Sequence, residues 1–242
     1  MKAVSFEAAF FMFLINEYPT GAVYNFLMED DKRTTAEIII NIIMVIFTVI
    51  GVVLMLAVNP EGGNLQASGI ENFKFYTVLT NVFCGFVSVI YLAFAIFKKD
   101  TDKVRGLKLA ALCGVFITFA VVAFMFGPLY GFPNFYKGGN LFFHLLLPLA
   151  AVFEFILARW DWMPFRYAVF SAVPTLLYGV GYTLNIVING IGGPWPDTND
   201  FYAFLSWGWS GGIAIFIGIT LLAFIVACIF RAINNRRARI KA

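Results

Sequence analysis

Charge is what this sequence has least of. Only 13% of its 242 residues are Asp, Glu, Lys or Arg, against 61% hydrophobic types and a mean hydropathy of +0.83. A soluble domain of this length covers its surface with roughly a quarter charged residues, so most of this surface must face something other than water. Histidine is scarcer still. His144 is the only one, which excludes the histidine-box di-iron desaturases and hydroxylases and the two-histidine zinc proteases. Cys84, Cys113 and Cys228 lie inside apolar runs without a C-x-x-C pair, so they read as small hydrophobes and not as a disulfide framework or a metal site. No N-x-S/T sequon is present, and no basic face suited to nucleic acid can be drawn. The first residues make a poor secretory signal, because Glu7 interrupts the apolar stretch after Lys2 and no small-residue cleavage site follows.

What is there in quantity is long apolar runs. About 20 mostly apolar residues cross a bilayer core, and six runs qualify, near residues 36–58, 73–97, 106–127, 140–158, 165–189 and 204–231. Turn-forming clusters separate the first and second runs (Asn59 to Asn64), the third and fourth (Gly127-Pro128 to Asn140) and the fifth and sixth (Gly190 to Asp200). The remaining connections and the C-terminal tail carry the cations. With a cytoplasmic N-terminus, 15 of the 17 Lys and Arg fall inside and only Lys74 and Lys137 fall outside. The expected fold class is therefore all-α, an integral membrane bundle of six transmembrane helices in the cell membrane with both termini cytoplasmic. Residues 1–35 are expected to be an N-terminal interfacial segment, because Val4 to Ile15 is apolar but too short to span. Residues 36–231 form the membrane domain, and residues 232–242 a basic cytoplasmic tail.

Polar side chains at membrane depth are costly and therefore informative. His144 lies four residues into the fourth run and Thr77 four residues into the second, so both sit about 6 Å below the outer boundary. One imidazole beside one hydroxyl is the minimum for nucleophilic acyl chemistry with a general base. Asn185 reaches the same level from the fifth run, Trp207 and Ser210 from the sixth, and Asn81 lies one turn deeper than Thr77. Tyr182 shares a helical face with Tyr178 and Asn185. Each residue also has an ordinary structural role open to it. A membrane Thr commonly bonds its own helix carbonyl one turn back, and a lone His or Asn can serve as interhelical glue. Tyrosines at helical spacing can simply be a buried face, and tryptophans at this level can form an interfacial belt. Glu154 is expected to pair with a nearby cytoplasmic-side arginine such as Arg159 or Arg166. No lysine is expected deep in a span, which argues against a retinal-type Schiff base.

The segments Phe73-Lys74-Phe75-Tyr76-Thr77 and Asn140-Leu141-Phe142-Phe143-His144, followed by Leu147-Pro148 and Glu154, resemble the androgen-induced gene 1 family. That family comprises six-span membrane proteins whose characterised members are intramembrane threonine hydrolases of fatty acid esters of hydroxy fatty acids. Gly192 to Pro196 is similar to the family's Gly/Trp/Pro loop before the last span, although Trp195-Pro196-Asp197 stands where a Tyr-Pro pair is expected. The resemblance implies Thr77 as nucleophile and His144 as base, a membrane lipid or long-chain acyl ester as partner, and neither metal nor cofactor. Asn81 or Asn185 would orient the imidazole or stabilise the oxyanion, with Tyr182, Trp207 and Ser210 lining the substrate. A lipid or solute binder without catalysis, and an acyltransferase using the same acyl-enzyme, remain open alternatives.

Overall fold

The computed structural model describes residues 30–57, 67, 69–158, 160–194 and 197–241. The expected interfacial segment at the N-terminus lies almost wholly outside them, as does Arg159. Six helices long and apolar enough to cross a membrane make up an all-α bundle. They are α1 (Asp30–Ala57), α2 (Tyr76–Ile96), α3 (Thr101–Tyr130), α4 (Gly138–Ala158), α5 (Phe165–Asn189) and α6 (Gly208–Lys241). The packed unit runs from Glu37 onward. Within it α3 is the most enclosed helix and touches α2, α4, α5 and α6. Helices α1 and α6 are the most exposed, and their outward faces are apolar, with Ile39, Ile46, Val49 and Val53 on one and Ile213, Ile217, Leu221 and Ile225 on the other. Apolar side chains turned outward along whole helices fit a lipid surround.

The bundle has two unlike ends. One carries the basic connections, residues 97–104 and 160–164, together with the end of α6; we call it the basic end. The other carries the Gly/Pro/Asn connections and is the turn-rich end. Beyond residue 231, α6 continues as helix to Lys241. Its extension is docked side chain by side chain on the 160–164 connection. Asn235 takes the Met163 N–H at 2.8 Å and returns a bond to the Met163 carbonyl at 2.9 Å, and Asn234 donates to the Asp161 carbonyl at 3.0 Å. Such side-chain mimicry of backbone pairing gives a connection with no regular structure the partners its buried polar groups require.

Two helices contain a π-turn, Val122–Phe126 in α3 and Phe142–Leu146 in α4. Each ends two residues before a proline, Pro128 and Pro148. A proline ring collides with the carbonyl four residues back and offers no N–H, and one extra residue in the turn removes the collision. The closing bonds are accordingly i to i−5, Gly127 N–H to Val122 and Leu147 N–H to Phe142. The second π-turn contains His144. It is pressed against α1 at Gly51, where even a methyl group would collide with the Phe143 ring.

Candidate active site at the turn-rich end

Thr77 is the second residue of α2. Phe75, just before the helix, is extended with φ −81° and ψ 137°. This break decides what the threonine hydroxyl can do. Hydroxyls deeper in the helices bond the carbonyl one turn back, Thr48 to Met44, Thr80 to Tyr76, Ser88 to Cys84, Ser171 to Tyr167 and Thr183 to Gly179, at 2.7–3.0 Å. Thr77 has no helical turn behind it. Its Oγ1 has no hydrogen-bond partner among the described residues, while its carbonyl takes two, from Thr80 Oγ1 at 3.2 Å and Asn81 Nδ2 at 2.7 Å.

His144 is buried, and its Nδ1 lies 3.0 Å from the carbonyl oxygen of Phe135 in the connection between α3 and α4. A carbonyl can only accept, so Nδ1 carries the hydrogen and the neutral ring keeps its lone pair on Nε2. Nε2 has no protein partner among the described residues. The imidazole is thus fixed in tautomer and orientation, with its basic nitrogen free.

Asn81 connects the two. It lies one turn from Thr77 on the same stripe of α2 and is fully buried. The amide nitrogen that holds the Thr77 carbonyl also donates to the Phe143 carbonyl at 3.1 Å. The π-turn explains why that carbonyl needs a donor. The Leu147 N–H has gone to Phe142, and the next residue in line, Pro148, has none to give. Asn81 fills the vacancy and thereby ties Thr77 to the residue before His144. Its Oδ1 is buried with no donor among the described residues.

Neither Asn81 nor Asn185 hydrogen-bonds the imidazole. Both hydrogens of the Asn81 amide are committed to carbonyls, and it is the Phe135 carbonyl that orients the imidazole. Asn185 donates to Asn199 Oδ1 at 3.1 Å and accepts from Asn189 at 2.8 Å, so it belongs to the connection after α5. Tyr182 donates to Asp200 Oδ1 at 2.5 Å and receives the Tyr202 N–H at 3.2 Å. Trp207 and Ser210 are exposed on the turn-rich approach to α6. A shallow groove lies between α5 and α6, lined by Tyr182, Phe204, Trp209, Ile213 and Phe216. The sequence-expected residues therefore form two groups, Thr77–Asn81–His144 and Tyr182–Asn185. The second still bears on the first. The Tyr202 hydroxyl accepts the Tyr76 N–H at 3.0 Å, and Tyr178 donates to the Lys74 carbonyl at 2.7 Å, so the connection after α5 holds the start of α2 where Thr77 sits.

At the basic end a second polar group corrects two expectations. Lys108 is buried within α3, and Glu154 pairs with it at 3.2 Å instead of with an arginine. Lys108 also bonds Asn41 Oδ1 and reaches Ser88 Oγ at 3.4 Å, and Asn41 Nδ2 donates to the same Glu154 oxygen at 3.1 Å. Tyr91 closes the group, its ring under the ammonium at 5.1 Å and its hydroxyl on Glu37 at 2.6 Å. Arg166 instead lies over the Tyr167 ring.

Among the described residues no group of three or more His, Cys, Asp or Glu side chains could hold a metal ion. Compared with known proteins, the chain matches no family model, no curated protein and no solved structure.

Proposed function

We propose that the protein is an intramembrane hydrolase of fatty acyl esters with Thr77 as nucleophile and His144 as general base. The observation that carries this reading is the pair of open positions at one end of the bundle. Thr77 Oγ1 is a hydroxyl without an acceptor among the described residues, and His144 Nε2 is the free lone pair of a ring fixed through Nδ1. In the reaction Nε2 takes the Thr77 proton as Oγ1 attacks the ester carbonyl. The tetrahedral oxyanion collapses to an acyl-threonine as His144 returns the proton to the leaving alkoxide. Water, deprotonated by the same nitrogen, then releases the fatty acid and regenerates Thr77. The Thr77 N–H in the first turn of α2 has no acceptor among the described residues and sits at the positive end of the helix, which suits it to the developing oxyanion. The orphaned Asn81 Oδ1 is the acceptor we assign to the hydrolytic water. The resemblance of the segments around Thr77 and His144 to the androgen-induced gene 1 family supports the same roles, and the charge asymmetry supports cytoplasmic termini with the site in the outer leaflet of the cell membrane.

The test is labelling by a long-chain fluorophosphonate together with hydrolysis of a long-chain acyl ester in detergent or nanodiscs. Thr77→Val and His144→Ala are each expected to lose about 10³-fold or more in rate, Thr77→Val without loss of thermal stability. Wild-type labelling and turnover in both variants would sink the mechanism. Transfer of the acyl group to an added alcohol in place of water would identify an acyltransferase.

A further inference from the structure

The groups with polar atoms left over are not confined to the turn-rich end. At the basic end Arg231 is the first charged residue after the last apolar stretch. Its Nε donates to the Met163 carbonyl at 2.9 Å, and its guanidinium lies 5.7 Å from the Trp162 ring centre and 5.6 Å from that of Phe165. Asn235 clamps Met163 from both sides of its peptide, so the platform that holds the arginine is itself fixed. The two terminal guanidinium nitrogens have no partner, and no carboxylate lies within ion-pair distance, among the described residues. Both rings are about half exposed, Trp162 at 50% and Phe165 at 55%.

Depth adds the second line of argument. Helix α6 has 34 residues, about 50 Å of helix against a hydrocarbon core of about 30 Å. Counted from Gly208, Arg231 falls about 35 Å along the axis, at headgroup level and no longer among acyl chains. A planar fork already immobilised by one hydrogen bond and two rings, with its free face at that level, has lost most of its rotamer freedom before any ligand arrives. Such a fork matches the two non-bridging oxygens of a phosphodiester.

We propose that Arg231, framed by Trp162 and Phe165 where α5 begins and α6 ends, binds the phosphate of an anionic phospholipid headgroup. The aromatic rings accept the upper acyl chain and glycerol region beside the phosphate. The site lies at the opposite end from Thr77 and does not depend on the hydrolase reading.

Native mass spectrometry of the full-length protein, released from nanodiscs of phosphatidylcholine doped with phosphatidylglycerol, tests this directly. The wild type is expected to retain phosphatidylglycerol in preference to phosphatidylcholine. Arg231→Gln should lose that preference by about tenfold or more. Arg231→Lys, which keeps the charge without the fork, should fall between them, and Arg236→Gln, an exposed cation one and a half turns further along α6, should match the wild type. A circular dichroism melt checks that each variant is folded, and Trp162→Leu supplies an independent variant with the Met163 bond intact and weaker retention expected. Equal retention by folded Arg231→Gln and wild type overturns the proposal, as does an equal loss in Arg236→Gln, which would mark diffuse attraction to the whole basic end. Displacement of the lipid by inorganic phosphate at millimolar concentration also overturns it, since the site would then be one for free anions.

Discussion

The Lys108 and Thr77 groups lie at opposite ends of the bundle, and they differ in what is left over. Around Lys108 nothing on the cation is spare. Its three hydrogens face Asn41, Ser88 and Glu154, and its remaining approach is over the Tyr91 ring. Around Thr77 two backbone carbonyls are satisfied but several side-chain atoms are not. Asn81 satisfies two carbonyls, Phe135 holds Nδ1, and the hydroxyl, Nε2 and the Asn81 Oδ1 stay open. A saturated buried network fixes how helices meet, whereas one with spare polar atoms inside a fixed frame keeps partners in reserve. Burial and polarity alone do not separate the two, since both groups are buried and polar.

The largest effect should come from breaking the saturated group. Lys108→Ala leaves the Glu154 carboxylate buried without its cation, which costs about 3–5 kcal/mol when one partner of a buried pair is removed. Lys108→Met combined with Glu154→Gln removes both charges and should recover most of that loss. Thermal unfolding in detergent reads this, and Thr77→Val should stay within about 0.5 kcal/mol of wild type. If Lys108→Ala melts no earlier than Thr77→Val, the two groups do not differ in the way their bonds imply.

A middle-sized effect separates geometry from stability. Pro148→Ala restores the N–H whose absence leaves Phe143 dependent on Asn81. The π-turn can then relax to α-helix, turning His144 by about 100°, one residue's rotation. Stability should change little or rise, because a helix-interior proline is replaced by the best helix former. Ester hydrolysis should fall about 100-fold, as misplaced catalytic groups do. Activity equal to wild type would show that the π-turn does not set the imidazole.

Much of this frame was legible from the sequence. The six helices follow the six apolar runs, because length and apolarity are what a bilayer selects, and the fourth and fifth runs end at Ala158 and Asn189, as expected. The spacing from each helix start brought out Thr77 and His144. The prolines at 128 and 148 were visible as turn and motif residues, but their consequence for helix register depends on neighbours. Lys108 was hidden because it stands at the end of a helix beside four other cations. Whether such a lysine reaches out to water or turns in toward Glu154, 46 positions away, is a question of tertiary packing. The Phe135 carbonyl was hidden for a deeper reason, since a backbone acceptor has no signature in residue type. The partners of Asn185 were hidden because depth alone does not fix azimuth, and α5 turns it toward Asn199.

The smallest effect concerns the strap between the two groups of expected residues. Tyr202 reaches from the connection after α5 to the Tyr76 N–H and so fixes the first turn of α2. Tyr202→Phe deletes that acceptor and leaves the Tyr76 N–H without it, a loss of about 0.5–1.5 kcal/mol. Burial pushes the Tyr202 hydroxyl up to about 12, so the folded protein holds it neutral well above the ordinary tyrosine value of about 10. The sign follows from linkage. A raised pKa contributes stability that is fully present below the unfolded value and is lost as pH rises through the folded one. Wild type should therefore lose stability between about pH 10 and 12 more steeply than Tyr202→Phe, and their melting temperatures should converge there. A constant gap across that range would mean that the hydroxyl is not buried against α2, and that the start of the helix bearing Thr77 is held by Tyr178 on the Lys74 carbonyl and by Tyr76 on Thr175.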